Sequence, residues 1–214
     1  MLSEIRVGSI VSAFGAVNPG RADKTGALVV TSGHGEFTEA CANNTVYAID
    51  SDTVTIATAN TTKGVLGTIK FINGFYNPIN SGKNAAVLAA IVATISGTPA
   101  GPLFYNMFVG KQPTNSETGT IRSLLLGQSN QSAMRPHVGV VLAVLPADST
   151  SAAVQIGVVG GPAASAVGAG MYSICDNVNG KIIVPPGVLF GLAAVGAGTS
   201  HVVQSTLVWE EIPI

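Results

Sequence analysis

The segment from Ile183 to Ile214 constrains the fold more than any other part of the sequence, because it is apolar, rich in glycine and nearly free of charge. Its only residues of the Asp, Glu, Lys and Arg types are Glu210 and Glu211, close to its end. Three structures could bury such a segment: a membrane-spanning helix, a buried helix, or strands covered on both faces. Pro185-Pro186-Gly187 and the glycines after it break the run of about 20 apolar residues that a spanning helix requires. We therefore expect a buried element.

Charged residues make up 10% of the 214 residues, against about 25% in typical soluble domains. So few charges cannot cover the surface of a monomer in the usual way. Either subunit contacts hide much of the surface, or the exterior consists of Ser, Thr, Asn and Gly. The formal net charge of −1 provides no overall attraction to nucleic acid or to acidic membranes. We expect neither as a partner.

Several segments alternate in the way that strands do. Residues 53–58 alternate Val and Ile with Thr, and residues 68–72 place Ile69 and Phe71 on one side. In the closing segment Val203, Leu207 and Trp209 share one parity with Ser205. A period of two with β-branched residues indicates strands.

Residues 85–95 are ambiguous. Leu88, Ile91, Val92 and Ile95 form a helical stripe that Asn84 could cap. As a strand, the same residues are apolar on both faces. A single helix among short strands would have to pack its apolar stripe against a sheet. We therefore predict a long strand covered on both faces.

The distribution of glycine, proline and charged residues along the sequence indicates a single boundary between two parts of the chain. Residues 1–25 are predicted to form an extended N-terminal arm, and residues 26–214 a single β-rich domain with turns every 8 to 15 residues.

The sequence offers few groups for catalysis. It has three histidines, and it lacks the Gly-x-Ser-x-Gly nucleophile motif and a complete phosphate- or dinucleotide-binding loop. The best metal candidate is residues 33–41, where on a strand His34 and Glu36 would face away from Glu39 and Cys41; a turn followed by a half-exposed strand is the preferred interpretation. Cys41 and Cys175 are expected to be free, buried thiols, with a disulfide left open. We expect neither an enzyme nor a bound metal or cofactor.

Three sequence pieces together resemble one family. They are residues 74–84 (GFYNPINSGKN), residues 183–187 (IVPPG) before an apolar segment, and the ending 208–214 (VWEEIPI). Residues 33–40 add weaker support. In this order and spacing the chain resembles, over roughly residues 26–214, the jelly-roll structural proteins of tailed bacteriophage virions, such as capsid cement (decoration) proteins.

The resemblance implies a β-sandwich of two antiparallel four-stranded sheets, usually a homotrimer on the outer surface of the capsid. It also favours the strand for residues 85–95. We expect the motif residues to have folding roles, in two turns and in the last strand. They are Tyr76, Asn77, Pro78, Ser81, Gly82, Lys83, Asn84, Pro185, Pro186, Gly187, Trp209 and Glu210. Glu210 is further expected to mark the exit of the last strand to solvent, and Glu210-Glu211 to discourage aggregation of that apolar strand.

The function that the resemblance implies is a cement protein that stabilises contacts between major capsid protein subunits. Its partners would be the major capsid protein and copies of itself, and it would be made in the cytoplasm of the bacterial host. The N-terminal arm is the candidate for the capsid contact, through Ile5, Arg6, Phe14, Arg21 and Lys24. The alternative is a tail, fibre or receptor-binding virion component with the same fold.

Overall fold

The computed structural model describes residues 10–11, 17–18, 21–22, 28–29, 37–56, 67–96, 103–111, 119–125, 132–139, 141–144, 153–160, 173–196 and 201–214. One short helix, α1 (Thr38–Ala42), lies within these ranges. The strands are β1 (Ile10–Val11), β2 (Val17–Asn18), β3 (Arg21–Ala22), β4 (Leu28–Val29), β5 (Val46–Asp50), β6 (Val54–Ile56), β7 (Gly67–Tyr76), β8 (Lys83–Ser96), β9 (Leu103–Gly110), β10 (Ile121–Ser123), β11 (Arg135–Pro136), β12 (Val141–Val144), β13 (Ala153–Gly160), β14 (Ser173–Val184), β15 (Leu189–Gly196) and β16 (His201–Pro213).

Eight of these strands form two antiparallel sheets with the strand order of a jelly roll. The first sheet has the order β5-β16-β8-β14, and the second has the order β7-β15-β9-β13. Counted along the chain, the first sheet thus holds strands one, eight, three and six, and the second holds strands two, seven, four and five. Short strands extend each sheet to six: β10 and β6 in the first, β11 and β12 in the second. The predicted all-β sandwich is confirmed, with four main strands in each sheet.

The chain divides into two compact units, Met1–Glu39 and Ala40–Ile214. In the first unit the described residues form two antiparallel ladders, β1 with β2 and β3 with β4. The second unit contains the jelly roll. The proposed limit of an arm at residue 25 remains a prediction.

The segment before β5 is helical where a half-exposed strand was predicted. Helix α1 ends at Ala42, and Asn44 just beyond it has a φ of 57° in the left-handed region that commonly closes helices. The backbone N–H of Asn44 donates to the carbonyl of Cys41 at 3.0 Å, and that of Thr45 to the carbonyl of Ala40 at 3.0 Å. These bonds satisfy carbonyls at the helix end, and the left-handed backbone of Asn44 explains why the helix stops.

The ambiguous residues 85–95 lie in β8, so the prediction of a strand is confirmed; within the single chain, however, Ala89, Ile91 and Ala93 are half-buried and Ile95 is exposed, so the chain itself does not cover both faces. The predicted parity of the closing segment is also confirmed: Val203, Ser205, Leu207 and Trp209 are buried, and the residues between them are half-buried. The inward face of the first sheet is thereby part of the core.

Two strands of the second sheet, β7 and β15, are buried on both faces throughout their described side chains. Residues 71–76 of β7 and 189–194 of β15 are all buried, and β15 lies in the middle of the sheet. Gly191 of β15 pairs with Gly74 of β7. A Cβ atom at Gly191 would come within 2.7 Å of the Cδ1 atom of Phe71. The missing side chain lets the Phe71 ring lie on the outward face. The apolar character of β15 therefore does not by itself require a second subunit.

A buried asparagine joins the two sheets. Asn73 of β7 donates from Nδ2 to the carbonyl of Ile49 in β5 at 2.8 Å and to the carbonyl of Ser205 in β16 at 3.0 Å. The backbone N–H of Ser51 donates to the same Ser205 carbonyl at 2.9 Å. These bonds satisfy buried carbonyls where β5 ends.

Candidate interaction surfaces

The first two sequence motifs meet at one end of the sandwich, where the chain twice passes between the sheets. Residues 77–82 carry it from β7 to β8, and residues 185–188 carry it from β14 to β15. We call residues 77–83, 185–188 and 211–214 the motif cluster. Gly82 has a φ of 66° and Gly187 a φ of 85°, values at which a residue with a side chain would be strained. Both glycines are therefore required by the turns.

Asn77 is the centre of the motif cluster. Its side-chain Nδ2 donates to the carbonyls of Lys83 and Val184, each at 2.9 Å. Its backbone N–H donates to the carbonyl of Val188 at 2.9 Å, and its own carbonyl accepts from the N–H of Gly187 at 2.7 Å. Asn77 is fully buried, so these four bonds hold the two turns together without competition from water.

A buried ion pair connects the last strand to this cluster. Lys83 Nζ lies 2.7 Å from Glu211 Oε2; the carboxylate side chain is 0% exposed and the lysine side chain 35% exposed. The other oxygen, Oε1, accepts from the hydroxyl of Ser132 and from the backbone N–H of Ala133. Glu211 therefore points inward, and the expectation that it serves with Glu210 as an exposed polar brake against aggregation is wrong for Glu211. Its neighbour Glu210 is half-buried on the outward face.

The same carboxylate affects a nearby phenol. Burial raises the pKa of Tyr47, the negative charge of Glu211 raises it further, and the positive charge of Lys83 opposes both effects. The Tyr47 hydroxyl donates to the carbonyl of Asn44 at 2.9 Å. Tyr47 thus remains a neutral donor over the ordinary pH range.

Trp209 lies in the core between the sheets. It is 0% exposed and stacks on Phe75 with ring centroids 4.3 Å apart, and on Tyr47 with centroids 6.3 Å apart. These contacts give it a packing role. The remaining residues that the resemblance singled out lie in or beside the two turns: Tyr76 is buried; Pro78, Ser81, Asn84 and Pro186 are half-buried; and Pro185 is exposed.

The candidates for capsid contact are not brought together by the described part of the structure. Ile5, Arg6, Phe14 and Lys24 lie outside the described residues, and only the backbone of Arg21 is described, in β3. Their role remains a prediction.

The metal candidate at 33–41 has no structural counterpart among the described residues. His34 and Glu36 lie outside them. Within the described ranges no group of three or more His, Cys, Asp and Glu side chains could hold a metal ion, and no helix there is long and apolar enough to cross a membrane. Cys41 and Cys175 are both free, with Cys41 half-buried and Cys175 exposed, so the expectation of buried thiols is wrong.

The outward side of the first sheet is a second candidate surface, which we call the open face. The register places one row of four residues across β14, β8, β16 and β5, namely Asn177, Ala89, Val208 and Ala48. The next row is Cys175, Ile91, Thr206 and Asp50. All eight are half-buried or exposed, in contrast to the buried Phe71 and Phe108 on the outward side of the second sheet.

The open face is poor in charge. On β5, β16 and β8 its charged residues are Asp50 and Glu210, and Asp50 accepts a hydrogen bond from Gln204 Nε2 at 3.2 Å. At the two edges of the sheet, exposed Arg122 of β10 pairs with Ala48, and exposed Lys181 lies on β14. Large apolar side chains are exposed towards its margins, Ile183 at 49% and Ile95 at 38%. An outward sheet face ordinarily carries polar residues, so this one departs from the usual pattern.

Comparisons with known proteins identify no family. No protein-family model matches the sequence, and no curated protein matches it. Among solved structures, similarity is found to the structure of the infectious bursal disease virus Gx strain, at 13% identity and a TM-score of 0.20, over 79% of this chain and 42% of that chain. The cryo-EM structure of Mud Crab Dicistrovirus is matched at 14% identity and a TM-score of 0.23, over 99% of this chain and 84% of that chain.

A third similar structure is the crystal structure of the infectious bursal disease virus VP2 subviral particle, at 13% identity and a TM-score of 0.20, covering 79% of this chain and 41% of that chain. This chain thus spans about two fifths of the length of the two bursal disease virus chains. At such low TM-scores these likenesses carry no conclusion about function.

Sequence reasoning missed Asn73 and the inward role of Glu211. Asn73 had one usable signal, a single polar residue with apolar neighbours in FINGFY, which in a buried strand requires hydrogen-bond partners. The partners of Glu211 come from residues 83 and 132–133, too far along the chain to be found by any local pattern.

Proposed function

We propose that this chain is a virion structural protein of a tailed bacteriophage, and specifically a capsid cement (decoration) protein. It binds the outside of the phage head as a homotrimer and stabilises the contacts between major capsid protein subunits. The observation that carries the proposal is the motif cluster: residues 74–84 and 183–187, which bear the resemblance, meet around the four hydrogen bonds of Asn77.

The mechanism needs no chemistry. A protein that binds only across assembled subunits stabilises the assembly by mass action. A trimer matches three-fold positions, where all three copies can make equal contacts, and its three attachments act together to slow release. A rigid, charge-poor sandwich suits this role, because little conformational freedom is lost on binding.

The test is binding to capsids that lack this protein. We expect the purified protein to sediment with such capsids and to saturate at three chains per three-fold site. Bound capsids should withstand heating or chelator treatment that opens unbound ones. Virions disrupted into heads and tails provide the second arm, in which an antibody against the chain should label heads.

Labelling of tails alone, with no binding to capsids, would overturn the cement function and favour a tail, fibre or receptor-binding component. Binding to bacterial cells in place of capsids would favour the receptor-binding form of that alternative.

A further inference from the structure

We infer that the open face is the surface through which one copy of this chain contacts another. The inference extends the proposed function by naming the surface that holds the trimer together. It rests on the proposed function for the number of copies, three.

The open face has the composition of an interface centre. Its central rows bring Ala89, Ile91, Val208 and Ala48 together. Asp50 and Arg122 lie on the β5–β10 side of these residues and Lys181 on the β14 side, while Glu210 follows Val208 along β16. Stable interfaces have a centre depleted of charge and a polar rim. A solvated sheet face would instead alternate Lys, Glu, Thr and Arg with the buried residues.

The size of the face is also sufficient. Its residues on β16 run from Val202 to Ile212, which is about 34 Å at the usual rise per residue, and four strands cover about 19 Å at the usual strand spacing. The product is roughly 650 Å². Stable interfaces bury about 600–1,000 Å² on each partner, so this face alone can supply one partner's share.

A second copy is the occupant that these properties favour. Apolar patches of several hundred Å² are rare on monomers and promote aggregation when they stay uncovered. A face that must be covered as soon as the chain folds needs a partner present at the same time and in equal amount, and another copy of the chain meets that condition. In a closed trimer the open face of each copy packs against a different surface of the next copy.

Strand β14, at the edge of the first sheet, has a bulge that hinders pairing with a further strand. Four residues of β14, 178–181, lie between the partners of Ala89 and Val87, so the strand bulges there. Within the bulge Asn179 and Gly180 have φ values of 51° and 73°, as the central pair of a tight type I′ turn requires. Such a bulge prevents β14 from adding another strand at its edge, so that copies meet through the face and not through the edge.

The experiment measures the mass of the purified protein in solution by light scattering and sedimentation. The wild-type chain, at 21.5 kDa, is expected to form a trimer. Ala89→Arg places a charge at the centre of the face and should weaken self-association by about tenfold or more. Ala89→Ser should remain trimeric. Asn80→Arg, which adds the same charge at an exposed turn outside the face, is the matched control and should also remain trimeric.

Cys175 supplies a readout that needs no substitution. It is exposed in the single chain and lies in the same row as Ile91, so the trimer should protect it from maleimide. Labelling of Cys175 should become faster when the protein is diluted to concentrations at which the trimer dissociates. Protein unfolded in urea gives the value for complete labelling. This measurement decides the question should Ala89→Arg fail to fold by circular dichroism.

Two outcomes would overturn the inference. The first is a protein that is monomeric at all concentrations. The second is a trimer in which Cys175 reacts as fast as in the diluted protein and in which Ala89→Arg does not change the mass. Capsid binding is scored separately. A monomer that still binds capsids would leave the cement function standing, and a face-dependent trimer that binds no capsid would overturn the cement function and leave the face.

Discussion

The indole ring of Trp209 stacks on the phenyl ring of Phe75 with a centroid distance of 4.3 Å and an interplanar angle of 27°. Because Trp209 belongs to the first sheet and Phe75 to the second, this contact joins the two layers of the sandwich next to the motif cluster. Aromatic pairs of this kind contribute beyond their buried area.

Trp209→Ala should lower the free energy of unfolding by about 3–5 kcal/mol, through the cavity that it leaves. The measurement is urea unfolding followed by far-ultraviolet circular dichroism, because the variant loses the chain's single tryptophan. Ile79→Ala, at a side chain that is 70% exposed, is the control and should change little. A loss below about 1 kcal/mol for Trp209→Ala would contradict the packing described above.

Lys83→Met should destabilise the fold more than Glu211→Gln. The first variant leaves a fully buried carboxylate without its cation, at about 2–4 kcal/mol. The second leaves a lysine that is 35% exposed and can be hydrated, at about 1–2 kcal/mol. Unfolding by urea at pH 7 measures both, and the double variant should lose less than the sum. A larger loss of stability for Glu211→Gln than for Lys83→Met would contradict this prediction, because it would mean that the unpaired lysine is the costlier charge.

Asn77→Ala should cost about 2–4 kcal/mol, because it removes a buried hydrogen bond from each of the carbonyls of Lys83 and Val184 and leaves the Lys83 carbonyl with the Ser81 hydroxyl at 3.1 Å. The exposed Asn80 lies in the same turn, and Asn80→Ala provides the matched control with a change of about 0.5 kcal/mol or less. Thermal and urea unfolding both report the difference. Equal effects at the two positions would show that the turn does not depend on the Asn77 side chain.

Tyr47 should make stability fall at high pH. Its folded-state pKa is raised by burial and by Glu211, above the ordinary value of about 10 that applies to the unfolded chain. The neutral phenol thus contributes stability that is fully present below about pH 10 and is lost as the pH rises through the folded-state pKa. Unfolding free energies between pH 8 and 11 should fall less steeply for Tyr47→Phe than for the wild type; identical slopes would exclude this group.

Deleting residues 1–25 should preserve the jelly roll and weaken capsid attachment. The second compact unit begins only at Ala40, so its thermal midpoint should change by a few degrees at most. Sedimentation with capsids should require at least about tenfold more protein. Loss of the fold on deletion would instead give these residues a part in the core.

The sequence predicted the strands that alternate strictly and missed features that depend on distant partners. The parity of Val203 to Trp209 was readable because β-branched residues recur with a period of two. Residues 85–95 were equally compatible with a helix, since local sequence does not reveal that β14 and β16 flank them. The helix at 38–42 was missed because its stop depends on the left-handed backbone of Asn44.

The candidate surfaces were less predictable than the fold. The motif residues could be placed in turns from Pro, Gly and Asn alone, but their meeting around Asn77 joins residues 107 apart in the chain. The open face could not be separated from the covered β15 by hydropathy, because both are apolar and only the three-dimensional order of strands distinguishes a central position from an outward one.

The position of β16 between β5 and β8 has a consequence for how the molecule is made. The two strands on either side of β16 cannot reach each other, and β15 separates β7 from β9 in the same way, so the first half of the chain can complete neither sheet. Folding must wait for residues 201–214, and contacts of such long range form slowly. Until then the two strands present bare edges, and growing chains on neighbouring ribosomes risk joining through them.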